Sequence, residues 1–299
     1  MSGQLKEVRE RIKSVNSTQQ ITKAMKMVSA AKLRRAQQAI TEMRPYANRL
    51  DKILRNILSN MEGGSGGSSF GVVRDVEKAL VIVVTSNRGL AGAFNSNIIK
   101  AAVAKINDRY SDVRAKGNLS ILCVGKKGYD YFRKRYTDCD IISDYVTLFD
   151  DLSFENVARV SQLAMDGFST GDYDAIDVSY GRFKNAGVQF AECTSFLPVE
   201  EVVVTDDSGK KQKADYIFEP NKEDLLEELI PTILQTSFQK FVLDTHASEH
   251  GARMTAMDKA TENANELLQE LKITYNKARQ EAITKELSEI VGGAAALGG

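Results

Sequence analysis

The sequence contains no tryptophan, only four prolines in 299 residues and only two histidines. Its three cysteines, Cys123, Cys139 and Cys193, are odd in number and far apart. That excludes a disulfide framework and a cysteine-rich metal centre, and suits buried filler positions in a reducing compartment. No apolar run approaches the ~18–20 residues of a membrane-spanning helix. The opening MSGQLKEVRERIK is charged throughout and lacks the apolar core of a secretory signal. These absences place the expected site of action in the cytoplasm or on the cytoplasmic face of a membrane.

The composition is 42% apolar and 27% charged, as expected of a chain that folds in water. Formal charge balances at zero overall, yet Arg11 to Thr41 holds seven basic residues (Arg11, Lys13, Lys23, Lys26, Lys32, Arg34, Arg35) and no acidic one. Such a stretch is either an ordinary solvated helix face or attracts an acidic protein, nucleic acid or anionic lipid. The lack of interleaved aromatics and of a nucleic-acid-binding motif disfavours nucleic acid. The lack of clustered aromatic anchors disfavours a membrane surface.

Apolar residues near both ends recur three and four apart. Leu5, Val8, Ile12 and Val15 do so, as do Ile40, Met43, Ala47, Leu50, Leu54, Ile57 and Met61. This is the seam of a coiled coil. Between Ile21 and Lys32 the stripe is expected to slip phase, onto Ile21, Met25 and Val28. From Asn221 the helical period returns through Leu225, Leu229, Ile233 and Phe238. It continues through Met254, Met257, Thr261, Ala264, Leu268, Leu271, Tyr275 and Ala278. Pro45 and Pro231 predict local bends. Helices of about 60 residues reach roughly 90 Å, and each has a single apolar stripe that needs a long partner.

Between the ends the period changes. A glycine–serine connector (EGGSGGSSFG, 62–71) is followed by buried strands at 79–85 and 119–124 and by helices near 95–109, 126–136 and 154–169. Further strands are expected at 175–183 and 188–197, with a hairpin at 200–218 around Asp206–Gly209. The expected fold combines α/β and α+β features: an antiparallel coiled coil of the N- and C-terminal helices with an inserted Rossmann-like α/β domain. The expected divisions are 1–62, a linker at 63–75, the α/β domain with its hairpin at 76–220, and 221–299.

Motifs for enzyme chemistry are weak. His246-Ala-Ser-Glu249-His250 spells the HxxEH of inverted zinc proteases, with both histidines on one helical face. No cleft accompanies it, so solvent-facing helix histidines are the expected reading. Gly125-Lys-Lys-Gly128 lacks the ending of a phosphate-binding loop. Gly89-Leu-Ala-Gly92 sits where a dinucleotide loop would, without the full GxGxxG, and the glycines read better as a tight strand-to-helix turn. No catalytic set, cofactor or metal is expected.

Three segments carry a more specific signal: IKSVNSTQQITKAMKMVSAAKLRRAQ (12–37), TSNRGLAGAFNSNI (85–98) and ITKELSEIVGGAAAL (283–297). Their sequence, order and spacing resemble those of F-type ATP synthase gamma subunits along the whole chain. Ala91 stands where that family often has a cysteine, and the chloroplast insertion with its cysteine pair is not evident, which favours a bacterial version. The resemblance implies a non-catalytic central-stalk rotor inside a ring of alpha and beta subunits. Its base would rest on the c-subunit ring beside epsilon, peripheral to the membrane on the cytoplasmic face. It further implies contacts with beta at Lys23, Met25, Lys26 and Arg253, opposite an acidic loop. Arg279, Gln280, Thr284 and Glu286 would make further contacts, and the small tip GGAAALGG (292–299) would turn in an apolar collar. Without the resemblance, the alternative is a structural or nucleic-acid-associated coiled-coil protein.

Overall fold

The computed structural model describes residues 3–59, 69–199 and 222–297. The first part of the expected connector and the hairpin around Asp206–Gly209 lie outside the described residues. Helix α1 spans Gly3–Ser59 and runs through Pro45. Strand β1 (Ala79–Val84) and helices α2 (Phe94–Arg109) and α3 (Ser111–Ala115) follow. Next come β2 (Leu119–Val124), α4 (Lys126–Arg135), β3 (Asp140–Ile142), α5 (Phe154–Thr170), β4 (Ala175–Asn185) and β5 (Val188–Leu197). Helix α6 spans Lys222–Leu297 and runs through Pro231. The long helices, four of the strands and three of the short helices fall close to the expected positions; β3 and α3 are additions.

By contacts the chain divides into two compact units, one formed by 1–30 with 253–299 and the other by 31–252. In the first, α1 and α6 pair antiparallel. Arg9 donates to the Tyr275 hydroxyl (2.9 Å), Gln19 donates to Asn265, the hydroxyls of Thr22 and Thr261 lie 2.8 Å apart, and Lys26 pairs with Asp258. Each advance along α1 is matched by a similar retreat along α6. Burial on α6 keeps the expected stripe: Met257, Ala264, Leu271 and Ala278 are buried, and Thr261, Leu268 and Tyr275 are half-buried.

The expected slip on α1 does not occur. Ile21 and Val28 are 59% and 57% exposed, whereas Thr22 and Ser29 are 8% and 3% exposed. The three–four rhythm continues unbroken through Val15, Gln19, Thr22, Lys26 and Ser29, which are buried or half-buried. The seam turns polar instead of changing face, and Gln19, Thr22 and Lys26 each find a partner across the pair. A paired polar group can be buried at little cost, while an unpaired one cannot.

The second unit holds a five-stranded sheet in the order β3-β2-β1-β4-β5, parallel except for β4 with β5. All six residues of β1 are buried, as a central strand covered on both faces requires. Leu80, Ile82 and Val84 face α5 and the Ile230–Val242 stretch of α6, together with Phe168 and Phe238. Ala79, Val81 and Val83 face α2 and α4, with Ile98, Ile106 and Phe132. Helix α2 is seated by β4: Ser179 donates to the Ile98 carbonyl (3.0 Å), and a Cβ at Gly181 would lie 2.7 Å from the Phe94 ring. Tyr110 donates to the buried Asp177 carboxylate (3.0 Å). Burial, then the nearby Asp177 carboxylate, raises the Tyr110 phenol pKa.

Candidate functional site

In an open sheet of this kind, ligands bind outside the carboxyl ends of the strands, where the chain order reverses. Here that point lies between β1 and β4, and side chains of this chain occupy it. The β1–β4 ladder ends at Val83 and Ser179, so Gly181 has no β1 partner. Its N–H donates to Thr245 Oγ1 (3.1 Å) and its carbonyl accepts from Ser248 Oγ (3.0 Å), both on α6. The helix lies across the crevice.

The nearby donors that could cradle a phosphate are also engaged. At the start of α4, Lys126 N donates to Asn87 Oδ1 (3.2 Å), Lys127 N to the Ser86 carbonyl (3.1 Å) and Gly128 N to Thr85 Oγ1 (2.8 Å). Ser86 N donates to Asn95 Oδ1 (2.9 Å). Gly125 has φ +93°, and a Cβ there would lie 2.0 Å from the Thr85 carbonyl oxygen. This glycine permits a close crossing of two backbones, as expected of a tight turn. Gly92 and Leu90 also take positive φ, +58° and +62°.

The HxxEH residues differ from expectation. His250 and Glu249 are buried, 5% and 6% exposed, and His246 is half-buried. The two Nε2 atoms lie 3.0 Å apart, and His246 stacks on Phe149 with ring centroids 5.9 Å apart. The rings face the interior of the unit because β4, β5 and the Phe149 loop cover this stretch of α6, which a helical period alone does not reveal. Among the described residues no group of three or more His, Cys, Asp or Glu side chains could hold a metal ion. Burial pushes the thiols of Cys123 and Cys193 up to about 12 and raises that of Cys139, so all three stay protonated at neutral pH.

The residues singled out by resemblance all lie in the coiled-coil unit, in two patches. Lys23 is exposed and Met25 and Lys26 are half-buried, all on one turn of α1. Arg253 is 6% exposed and lies five residues along α6 from Asp258, the partner of Lys26, a rise of roughly 7.5 Å. Arg279, Gln280, Thr284 and Glu286 are exposed, and their patch begins about 40 Å further along α6 at 1.5 Å per residue. Thr284 donates to the Gln280 carbonyl one turn back (2.9 Å). Ile283, Leu287, Ile290 and Val291, near the end of α6, are 46–67% exposed. The helix continues through Gly292 and Gly293 to Leu297. Hydropathy alone missed Asp258, Asn265 and Thr22; only the antiparallel register identifies them.

No helix among the described residues is long and apolar enough to cross a membrane. The ATP synthase family profile matches residues 4–297. The chain is 51% identical over 293 residues to the ATP synthase gamma chain of Cytophaga hutchinsonii, covering 98% of each chain. It is 50% identical over 295 residues to that of Flavobacterium psychrophilum, covering 99% of each. Among solved structures, a chain of the Euglena gracilis mitochondrial ATP synthase OSCP/F1/c-ring assembly matches with TM-score 0.67 and 26% identity, over 99% of this chain and 95% of that one. A chain of the rotor of the same enzyme shares the fold, with TM-score 0.60, 24% identity, and coverage of 95% of this chain and 100% of that one. None of these relatives supports the nucleic-acid-associated alternative. Full-length likeness and a matching fold agree: the chain belongs to the ATP synthase gamma-chain family.

Proposed function

We propose that this chain is the central-stalk rotor of an F-type ATP synthase, a non-catalytic subunit that turns inside a ring of alpha and beta subunits. It rests with epsilon on the c-subunit ring, at the cytoplasmic face of a bacterial plasma membrane. The observation that carries this reading is the antiparallel pairing of the two chain ends, through residues such as Arg9 with Tyr275, 266 positions apart. Two unequal helices have no threefold symmetry, so they present a different face to each of three equivalent neighbours. Turning the pair then changes the relative stability of each neighbour's site, which is a coupling free energy.

Lys23, Met25, Lys26 and Arg253 would meet an acidic loop of beta. Arg279, Gln280, Thr284 and Glu286 would touch beta higher on α6, each polar contact worth roughly 0.5–1.5 kcal/mol net. Such contacts hold an angular dwell without locking it. The exposed stripe of Ile283, Leu287, Ile290 and Val291 would face an apolar collar, where its exposure in the free chain would be covered.

Co-purification tests the assignment directly: tagged chain should bring down the alpha, beta and epsilon subunits, and its isolation alone would overturn it. Within the assembled enzyme, reversing charge at Arg253 or Lys26 should reduce ions pumped per ATP; unchanged pumping would remove the charge-dependent contact. Replacing Arg279, Gln280 and Thr284 with alanine together should reduce activity of the complex more than stability of the chain. Equal loss of both would mean simple destabilisation.

A further inference from the structure

We propose that Asp258 is a positioning residue for the rotor's contact with its ring: it holds Lys26 as an internally paired cation that a partner's carboxylate must win away. This rests on the reading of Lys26 as a beta contact. Lys26 and Asp258 stand on opposite helices, 232 residues apart in sequence, and their side chains are 40% and 46% exposed. Asp258 is held opposite Lys26 by the polar layers next to it, Thr22 with Thr261 and Gln19 with Asn265. Each hydroxyl carries one proton, so one donates across the pair and the other to its own helix, where the Gln19 carbonyl lies 3.0 Å from Thr22 and the Met257 carbonyl 2.7 Å from Thr261. Lys23, on the same turn of α1, is exposed and makes no ion pair among the described residues.

The two lysines therefore differ in kind. Lys23 offers a free, strongly hydrated charge. Lys26 offers one already half-neutralised by a carboxylate of its own chain. A half-exposed pair contributes little to stability, so it exchanges readily with a carboxylate outside the shaft. The consequence is moderation: gain at the partner is reduced by what is lost at Asp258, and the grip at each dwell stays weak enough to release. Without Asp258, Lys26 would bind the partner's acid at full strength.

The test uses the assembled, membrane-bound enzyme carrying Asp258→Asn, Lys26→Gln, both together, or Asp258→Glu. ATP hydrolysis and ATP-driven ion pumping are measured from low to high salt. The exposed-pair range converts to an expected slowing of hydrolysis by Asp258→Asn of up to about fivefold at low salt. High salt should relieve it, Asp258→Glu should behave as wild type, and the double variant should match Lys26→Gln alone. Two results would overturn the proposal while leaving Lys26 as a contact. One is Asp258→Asn without effect where Lys26→Gln reduces pumping. The other is two losses that add, salt-independent and accompanied by a lowered melting temperature, which marks Asp258 as a structural residue only. If Lys26→Gln itself leaves pumping unchanged, the contact reading fails and the proposal with it.

Discussion

Thr22 and Thr261 meet hydroxyl to hydroxyl at 2.8 Å, one from each terminal helix, in a layer where a coiled coil ordinarily holds branched apolar side chains. Thr22 is 8% exposed; each hydroxyl carries one proton, so one donates across the seam while the other donates to a carbonyl of its own helix, Gln19 for Thr22 or Met257 for Thr261. A polar layer of this kind specifies register at a cost in stability, since only one alignment pairs the groups.

That pair makes a double-mutant prediction. Thr22→Val or Thr261→Val alone should destabilise the chain by about 1 kcal/mol, because one hydroxyl loses its partner across the seam. The double variant should recover most of that loss or exceed wild type. Urea unfolding followed by helical circular dichroism measures it; additive losses would mean the two hydroxyls are energetically independent.

Gly125 and Gly92 should respond very differently to alanine, although both have positive φ. At Gly92 a Cβ meets nothing within 4 Å, so Gly92→Ala should cost only the backbone penalty of about 1–2 kcal/mol. At Gly125 the Cβ would overlap the Thr85 carbonyl, and β1 and β2 are parallel neighbours with no freedom to part. Gly125→Ala should cost more than about 4 kcal/mol or prevent folding. Soluble yield and melting temperature compare the two.

Asp244 should give the second unit a pH-dependent stability. Burial pushes its carboxyl up to about 6, against the opposing pull of Lys240, Arg44 and Arg182. The folded state therefore holds this proton more tightly than the unfolded chain. Protonation stabilises the fold, and the contribution is lost as pH rises from the ordinary carboxylate range through about 6. Asp244→Asn should remove that slope and raise stability above pH 6, by on the order of 1–2 kcal/mol. Melting curves between pH 4 and 8 would show it, and an unchanged slope would count against the assignment.

Thr245 and Ser248 should matter more than most helix-surface hydroxyls. Each satisfies one backbone group of Gly181 at the end of the β1–β4 ladder. Thr245→Val or Ser248→Ala leaves a buried N–H or carbonyl unpaired, at about 1–3 kcal/mol apiece. Hydrogen exchange at the Gly181 amide should accelerate in Thr245→Val and change less in Ser248→Ala, which removes the bond to the carbonyl instead.

Much of the architecture was legible in the sequence because hydropathy is written locally. The run Ala79–Val84 could only be a strand buried on both faces, and Leu5, Val8, Ile12 and Val15 could only line one side of a helix. The three motifs at 12–37, 85–98 and 283–297 were enough to indicate the family. Local pattern failed where a polar residue is buried by a distant partner. Ile21 and Val28 looked like seam and face solvent, while Thr22 and Ser29 looked like surface and are buried.

The sequence by itself determined the elements, their order and the need of two long helices for one another, since these follow from the period of apolar residues along a single strand of chain. Tertiary structure alone decided that the seam turns polar at Gln19, Thr22 and Lys26, that His250 is buried, and that α6 closes the crevice at Gly181. Each depends on a hydrogen bond or contact across 60 to 250 residues of sequence, and no local periodicity encodes which distant group will arrive to satisfy a buried donor.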